Sequence, residues 1–267
     1  MRYGLIHYNT PGTTFEEFLQ YASKTGFQCA EVMIHDVWPK DAAFNPDKAH
    51  EAKALLDKYK VRAAALTAAN DFVQLDPVAI KAQVERMEKV AQLAKILGTH
   101  VLRTEGGQPK DSVPEDKWAD SIAGCLKACI PLCQSMNMKL AVDNHGYVSN
   151  NPKVLMAALE KADSKFIGSN LDTMNFRWWG NEVKDLPSIY KNLAPYVFHT
   201  HMKDGSGVRK DYKGAACGQG EIPLKSAIDS LVAAGYKGAW CAEWEGQGDK
   251  GEGYAACLKW IKANCPA

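Results

Sequence analysis

The stretch Tyr196-Val-Phe-His-Thr-His-Met-Lys-Asp204 has the pattern of an apolar β-strand that ends in polar side chains. Because side chains alternate between the two faces of a strand, His199, His201 and Lys203 should project in the same direction near its end. Two histidines spaced in this way are more often structural than functional when they stand alone. Three other predicted strands end in acidic or imidazole groups at a comparable position: Ala141-Val-Asp-Asn-His145, Asn170-Leu-Asp172 and Cys241-Ala-Glu243-Trp-Glu245. Together the four stretches indicate strands that bring their ends to one functional region.

Apolar strand-like segments alternate with amphipathic helical segments along the whole chain. Helices that connect consecutive strands make those strands parallel. Eight strand–helix units therefore predict an α/β fold, and they fit a closed (β/α)₈ TIM barrel better than an open doubly wound sheet. There is no change in composition and no linker rich in proline or serine, so we expect residues 1–267 to form a single domain. The predicted strands are residues 2–8, 29–34, 62–68, 100–105, 139–145, 166–172, 196–204 and 238–243.

Several residues mark the ends of the intervening helices. Thr14 and Glu17 have the spacing of a capping box, in which each side chain bonds the backbone amide of the other residue. Gly26 stands where a glycine commonly ends a helix, and Pro77 and Pro152 occupy first-turn positions that proline favours. These signals predict where three of the helices begin and where the first one ends.

Composition and charge limit the classes of protein to consider. Of the 267 residues, 46% are hydrophobic and 24% are charged, and the formal net charge is +1. That balance supplies a large buried core and argues against a nucleic acid as the partner. The N-terminal sequence lacks the apolar run of a signal peptide, and no apolar stretch is long enough to span a bilayer. We therefore expect a soluble, cytoplasmic protein with no membrane partner.

Three of the eight cysteines follow a helical spacing. Cys125, Cys129 and Cys133 recur every four residues, which stacks them along one face of a helix as small apolar residues. We expect reduced core cysteines, rather than disulfides or metal ligands, because a large α/β protein does not need covalent cross-links.

In a TIM barrel the C-terminal ends of the strands and the loops after them build the active site. Asp143, Asp172, His201 and Glu243 lie at the predicted ends of strands five to eight. Three carboxylates and one imidazole suit a hard or borderline divalent cation, with Mn²⁺ as the first choice and Mg²⁺, Co²⁺ or Zn²⁺ as alternatives. Any one of these acids could instead cap a helix or lie on the surface. Four such residues at matching positions favour one bound metal ion.

Five motifs surround these residues: Asp143-Asn-His-Gly146, Leu171-Asp-Thr-Met-Asn175, His199-Thr-His-Met-Lys-Asp204, Gly218-Gln-Gly-Glu-Ile222 and Gly238-Ala-Trp-Cys-Ala-Glu243. They resemble the xylose isomerase-like TIM-barrel superfamily, in particular its sugar (phosphate) isomerase/epimerase branch. The resemblance covers the whole chain and is strongest from residue 139 to residue 246. It implies that one divalent metal ion is bound through the four strand-end residues, Asp143, Asp172, His201 and Glu243.

The resemblance also implies a reaction. In that branch two carboxylates of the ligand set, usually glutamates, move protons on the carbon next to the substrate carbonyl. This role would fall to Asp143 and Glu243, but Asp143 is one methylene shorter than the usual glutamate. Holding a metal ion and also reaching a substrate carbon is harder for the shorter side chain. Members of the branch are often dimers or tetramers, so the resemblance implies a homo-oligomer.

Two further residues are candidates for the proton-transferring base. His145 is two residues on from Asp143, which places it on the same face of the predicted strand, and imidazole titrates near neutral pH. Its alternative role is to orient a metal ligand through a hydrogen bond. Glu105, at the end of the fourth predicted strand, is a second candidate base, and its alternative is a salt bridge with Arg103.

The predicted mouth of the barrel also holds candidate contacts to a substrate. Lys203 and Arg209 could bind an oxyanion or a phosphate, although Lys203 could equally pair with Asp204. Aromatic rings in the loops can line a sugar pocket or merely cover the barrel core. The candidate substrate-binding residues are His199, Lys203, Arg209, Asn175, Trp38, Trp178 and His35, with Phe44 and Trp179 as further aromatic residues.

From these features we expect a divalent-metal-dependent sugar isomerase or epimerase that acts on a keto sugar or sugar derivative. The cation would stabilise a cis-enediolate while a carboxylate or imidazole takes and returns the proton. The first alternative is a metal-dependent lyase of the same fold, either a keto-inositol dehydratase or an enzyme that eliminates the β-substituent of a 3-keto glycoside. The second is a non-catalytic sugar-binding barrel. An apurinic-site nuclease of the superfamily is disfavoured, because it needs a trinuclear zinc site and a basic DNA face.

Overall fold

A computed structural model describes residues 3–266 of the chain. Eight of the strands in that range are parallel and close into a barrel, which confirms the predicted (β/α)₈ TIM-barrel fold. Arg2, the first residue of the first predicted strand, lies outside the described residues. In chain order the strands are β1 Tyr3–Ile6, β2 Cys29–Val32, β3 Arg62–Thr67, β4 Val101–Glu105, β5 Lys139–Asp143, β6 Ile167–Asp172, β7 Val197–Met202, β8 Asp204–Ser206, β9 Lys213–Ala215 and β10 Trp240–Ala242. The barrel order is β1-β10-β7-β6-β5-β4-β3-β2, and β8 and β9 form a separate antiparallel pair.

Helices connect the barrel strands and cover their outer face. Two of them, α2 and α7, are short helices in the loops after β2 and β6 that the sequence pattern did not predict. None of the helices within residues 3–266 is both long and apolar enough to cross a membrane. The α-helices are α1 Phe15–Thr25, α2 Ile34–Val37, α3 Asp47–Tyr59, α4 Pro77–Leu97, α5 Trp118–Met136, α6 Pro152–Ala162, α7 Asn175–Trp179, α8 Leu186–Leu193, α9 Leu224–Ala233 and α10 Lys250–Asn264.

Capping residues begin the helices at the predicted positions. At the start of α1 the Glu17 amide donates to Thr14 Oγ1 at 3.2 Å, and the Thr14 amide donates to Glu17 Oε2 at 3.1 Å. At the start of α4 the Ala79 amide donates to Asp76 Oδ2 at 3.0 Å. Each such cap satisfies backbone N–H groups that have no partner inside the helix and contributes about 1 kcal/mol. Local sequence therefore sets where these two helices begin.

One face of α5 is a column of buried thiols. Cys125, Cys129 and Cys133 have no exposed surface, and all eight cysteines of the chain are free and buried. Burial raises the pKa of Cys125 to about 12 and that of Cys133 to about 11. The thiols therefore pack as neutral apolar groups between the helices and the barrel, as predicted.

Six of the barrel strands end one or two residues earlier than the sequence pattern predicted, β5 and β7 among them. β5 stops at Asp143 instead of continuing to His145, and β7 stops at Met202. At the end of β5 the Ser149 hydroxyl accepts from the His145 amide at 3.3 Å and donates to the Asp143 carbonyl at 2.7 Å, which turns the chain out of the sheet. Strand alternation therefore does not set the direction of His145, which lies in the turn.

A hairpin made of β8 and β9 follows β7, and its first strand begins at Asp204, which was predicted to end the seventh strand. The Asp204 carboxylate holds it in place, because it accepts backbone N–H groups from Gly205 at 2.8 Å, Gly218 at 2.8 Å and Gly220 at 3.1 Å. A Cβ atom at Gly220 would lie 2.2 Å from Asp204 Oδ1, so only glycine fits there. Asp204 thus anchors the segment that leads from β7 to α9.

Candidate active site

Three buried side chains converge at the C-terminal end of the barrel. Asp172 ends β6, His201 lies opposite it in β7, and Glu243 directly follows β10. His201 Nδ1 is 2.9 Å from Glu243 Oε2 and 4.0 Å from Asp172 Oδ2. One candidate ligand atom of each residue lies within 4.8 Å of the other two. This spacing and donor set fit a single divalent cation.

Two atoms of this group lack a hydrogen bond. Asp172 Oδ2 and His201 Nδ1 are buried without a hydrogen-bond partner among the described residues, since the approach of Glu243 to His201 Nδ1 does not have hydrogen-bond geometry. The other oxygen of Asp172 is fully used, because it accepts from the amides of Met174 at 2.8 Å and Asn175 at 2.9 Å. Buried polar atoms without partners are rare in proteins and call for an explanation. A cation between these atoms supplies one.

Asp143, the predicted ligand from the fifth strand, makes other contacts. Its Oδ1 accepts a hydrogen bond from Asn170 Nδ2 at 2.5 Å, and its Oδ2 lies 3.1 Å from Arg103 Nη2. Both Asp143 and Arg103 are buried inside the barrel. The guanidinium therefore supplies the positive charge that a metal ion would otherwise give to this carboxylate. Asp143 is not part of the three-residue group around His201, and its role as a ligand remains a prediction.

Glu31 in β2 lies at the centre of the buried charges, although it was not among the predicted site residues. Its Oε2 is 2.8 Å from Nε2 of His199 and 2.8 Å from Nε2 of His201, and its Oε1 is 3.3 Å from Arg103 Nε. Burial alone would raise the pKa of Glu31, but His201 and Arg103 outweigh it and lower the pKa well below its usual value. The sequence did contain a signal for Glu31, namely an acid in the middle of an apolar strand. A buried carboxylate needs cationic or hydrogen-bonding partners.

Lys203, predicted to contact a substrate, is buried among carboxylates. Its Nζ lies 2.9 Å from Glu245 Oε2, 3.2 Å from Glu243 Oε1 and 3.8 Å from Asp172 Oδ2. Burial opposes the charged form of the ammonium group, but Glu243 and Asp172 outweigh it and raise the pKa of Lys203 well above its usual value. Lys203 is thus a fixed cation at the edge of the cluster formed by Asp172, His201 and Glu243. The alternative pairing with Asp204 is not formed, because the hairpin backbone uses that carboxylate.

The members of the cluster differ in their affinity for protons. Burial raises the pKa of Asp172 to about 8, against the opposing charge of Lys203. Burial acts in the same direction on Glu243, but Lys203 and His201 lower its pKa below the usual range. For His201, burial disfavours the charged form, and the carboxylates of Glu31 and Glu243 nevertheless raise its pKa well above the usual value. Without a metal ion His201 therefore holds a proton that metal binding must displace.

The two candidate bases lie together on the solvent side of these charges. His145 Nδ1 is 3.6 Å from Glu105 Oε2, and the imidazole is 45% exposed. Glu105 Oε1 is also 3.8 Å from Arg103 Nη1, so the predicted alternative partner of Glu105 is present as well. In the register of β4 and β5, Glu105 lies beside Asp143, which places the pair next to the buried cluster. An accessible imidazole beside a carboxylate is suited to general-base work.

Three of the predicted substrate contacts lie around the same end of the barrel. Asn175 Oδ1 is 3.5 Å from Lys203 Nζ. The ring of Trp178 meets the ring of Tyr147 edge to face, with 6.5 Å between centroids. The guanidinium of Arg209 lies 4.4 Å from the Tyr147 centroid and 5.9 Å from the Trp178 ring. Tyr147 was not predicted, although it follows His145 by two residues and is 43% exposed.

The other three predicted substrate-binding residues, His199, His35 and Trp38, contact protein side chains. His199 is buried against Glu31, beneath the cluster rather than at its open side. His35 is 60% exposed and lies 3.7 Å from Asp36, while the ring of Trp38 packs edge to face against Phe44 at 5.4 Å. The Trp38 contact corresponds to the alternative in which aromatic residues cover the core. A substrate role for His35 and Trp38 remains a prediction.

A second group of possible ligand atoms, from Glu31, His199 and His201, shares His201 with the first. A third, from His7, His35 and Asp36, lies at the end of β1 and in α2. His7 Nδ1 already bonds both Asp36 oxygens, at 2.9 and 3.0 Å, and its ring stacks on Phe18 with 4.1 Å between centroids. These contacts engage His7 Nδ1 and both oxygens of Asp36. Asp172 Oδ2 and His201 Nδ1, in contrast, are buried without a hydrogen-bond partner among the described residues.

Residues 19–264 match the family model of the xylose isomerase-like TIM barrel. Because the match spans most of the chain, the protein belongs to that family. No curated protein sequence matches the chain.

Solved structures with the same architecture share little sequence with this chain. The IolI protein, solved with a bound zinc atom, is 16% identical with a TM-score of 0.78, covering 98% of this chain and 97% of that one. The probable 3-DHS dehydratase AsbF from Bacillus anthracis is 15% identical with a TM-score of 0.76, covering 99% of each chain. D-psicose 3-epimerase from Clostridium cellulolyticum H10 is 12% identical with a TM-score of 0.77, covering 100% of each chain. At these identities the likeness shows a common fold.

Proposed function

We propose that this protein is a divalent-metal-dependent enzyme that removes a proton from the carbon next to the carbonyl group of a sugar or sugar derivative. The main support is the convergence of the unpartnered atoms Asp172 Oδ2 and His201 Nδ1 with Glu243. The neighbouring His145–Glu105 pair offers an accessible base. Structural relatives that are named an epimerase and a probable dehydratase, and one that contains zinc, are consistent with this class of chemistry.

Asp172, His201 and Glu243 would hold the metal ion. Two carboxylates and one imidazole suit Mn²⁺, with Mg²⁺, Co²⁺ and Zn²⁺ as alternatives. Bound there, the cation would polarise the substrate carbonyl and stabilise the negative charge that develops when the neighbouring carbon loses its proton. Asp143 would contribute less than the other three residues, because Arg103 and Asn170 already engage its two oxygens.

The chain's own residues would carry the proton and fix the charges. In this proposal His145 takes the proton from carbon, and Glu105 stabilises the imidazolium that results. The Lys203 ammonium keeps Glu243 ionised and presents positive charge to substrate oxygens. Returning the proton to another carbon isomerises the sugar, and returning it to the opposite face epimerises it.

The pairing of Asp143 with Arg103 favours a second candidate, β-elimination. An epimerase that works with two carboxylates needs a free acid or base on each face of the reacting carbon. Here Asp143 is paired with Arg103, and Glu243 is paired with Lys203 and His201. One accessible base, His145, is sufficient to remove a proton while a β-substituent leaves. The lyase candidates are a keto-inositol dehydratase and an enzyme acting on a 3-keto glycoside.

A product screen separates these outcomes. The Mn²⁺-loaded protein is incubated with ketoses, keto-inositols and 3-keto glycosides, and the products are analysed by mass spectrometry and NMR. An isomer or epimer of unchanged mass supports the first candidate, and loss of water or of an aglycone supports the second. Tight binding of a sugar without any conversion would instead identify a sugar-binding barrel and overturn the proposal.

A further inference from the structure

Glu31 contacts two histidines at the same distance but in different ways. The contact of Glu31 Oε2 with His201 Nε2, at 2.8 Å, has the geometry of a hydrogen bond. The contact with His199 Nε2 is equally short, yet His199 Nε2 is left without a hydrogen-bond partner among the described residues. His201 is therefore the residue whose direction Glu31 controls.

This hydrogen bond decides which nitrogen of His201 faces the cluster. An ionised carboxylate can only accept, so Nε2 of His201 must carry the hydrogen that is shared with Glu31. The other nitrogen, Nδ1, is then the one presented to Glu243 at 2.9 Å and to Asp172 at 4.0 Å. A carboxylate behind a metal-binding histidine fixes both the tautomer and the orientation of the ring.

Glu31 is itself held rigidly. It lies in β2 with no exposed surface, and the strand register places it beside Ile6 of β1 and Ala65 of β3. Its second oxygen lies 3.3 Å from Arg103 Nε, which neutralises the remaining charge. A side chain that is fixed by two neighbouring strands and a guanidinium can hold His201 from across the barrel interior.

We propose that Glu31 is a positioning residue, which orients His201 so that Nδ1 binds the metal ion. The inference rests on the proposed metal site and adds to it a residue that would not touch the ion. It assigns to β2 a part in a site whose other members come from the second half of the chain. His199 shares the same Glu31 oxygen at 2.8 Å but without hydrogen-bond geometry, so it contributes less to that positioning.

The test compares Glu31→Gln with His199→Gln as a matched control. Each variant is stripped with chelator and titrated with Mn²⁺ and with Co²⁺, whose visible absorption reports the ligand geometry. Loss of a residue that orients a metal ligand typically weakens binding about 10- to 100-fold, so this loss and a shifted Co²⁺ spectrum are expected for Glu31→Gln. For His199→Gln we expect an affinity close to that of the unaltered protein. Equal losses in the two variants, or no loss in Glu31→Gln, would overturn the inference. Should Glu31→Gln not fold, Glu31→Asp gives the same comparison, because it retracts the carboxylate by one methylene.

A second measurement keeps this inference separate from the proposed function. If the unaltered protein binds neither metal, the proposed function fails, and the Glu31–His201 interaction is then measured alone. Double-mutant cycles of unfolding in the presence of chelator give the coupling of Glu31 with His201 and of Glu31 with His199. The inference requires the first coupling to be clearly larger than the second. Couplings of equal size would contradict it with or without a metal ion.

Discussion

Arg103 Nη2 lies 3.1 Å from Asp143 Oδ2 in the interior of the barrel. The same guanidinium reaches Glu31 at 3.3 Å through Nε, so it neutralises two buried acids from different strands. Asp143 thereby differs from Asp172, whose Oδ2 lies farther from its cationic neighbours, at 3.8 Å from Lys203 Nζ and 4.0 Å from His201 Nδ1. The acids that end β5 and β6 occupy equivalent places in the fold, but they have different electrostatic partners.

This difference predicts unequal effects for two matched substitutions. Asp172→Asn removes a charge that faces the proposed metal site, whereas Asp143→Asn removes a charge that Arg103 already neutralises. We expect Mn²⁺ affinity to fall at least about tenfold further in Asp172→Asn than in Asp143→Asn. Asp143→Asn should mainly lower stability, by as much as about 3–5 kcal/mol, since it leaves Arg103 with one partner fewer. Calorimetric metal titration and urea unfolding measure the two effects. Equal loss of metal in both variants would make Asp143 a full ligand.

Removal of any one of the three proposed ligands should release the metal ion. Asp172→Ala, His201→Ala and Glu243→Ala each leave two donors, which lose charge and geometry together. Metal analysis after dialysis should find about one Mn²⁺ per chain in the unaltered protein and strongly reduced content in each variant. Full occupancy in Glu243→Ala would remove Glu243 from the ligand set. Circular dichroism shows whether each variant is folded.

Replacement of the proposed base should separate chemistry from metal binding. We expect His145→Ala to keep its metal ion and to lose turnover by roughly 10²- to 10⁴-fold, as is usual when a general base is removed. His100→Ala is the matched control, because His100 is an exposed histidine that precedes β4, away from the strand ends that carry the site. Unchanged turnover in His145→Ala, on a substrate that the protein converts, would return the base role to Glu105 or Glu243.

The buried thiols predict a dependence of reactivity and stability on alkaline pH. A free thiol has a pKa near 8.5, while burial raises that of Cys125 to about 12 and that of Cys133 to about 11. Because the folded-state values are raised, these residues contribute stability below about pH 8.5 that is lost as the pH rises towards 11 and 12. A thiol-specific disulfide reagent at pH 8 should modify Cys125 and Cys133 only after denaturant is added. Rapid modification of these residues in the native protein would show that the α5 face opens.

The barrel and the three converging residues could be predicted, because each residue is marked by its position at the end of an apolar strand. Asp172, His201 and Glu243 each follow or end an apolar strand, and parallel strands in a closed barrel bring those ends together. The end of β5 was misplaced, because the bonds of Ser149 that turn the chain after Asp143 leave no mark in the alternation of polar and apolar residues.

The buried network beneath the cluster could not be predicted in the same way. Glu31 and Arg103 stand more than seventy residues apart, and their pairing depends on which face of β2 and β4 points inward. That direction is set by the strand register, which a single strand does not reveal. The pairing of Asp143 with Arg103, rather than with a metal ion, could not be predicted for the same reason. It depends on both side chains entering the barrel interior.

Solvent deuterium exchange tests the central claim most directly. The protein is incubated in D₂O with the keto sugar, keto-inositol or 3-keto glycoside that it converts, once with chelator and once after reloading with Mn²⁺. Metal-dependent abstraction of a proton next to the carbonyl predicts that deuterium appears at that carbon, in the product or in recovered substrate, in the reloaded sample alone. Exchange at the same rate in the chelated protein, or conversion by the reloaded protein with full retention of hydrogen at that carbon, would contradict it.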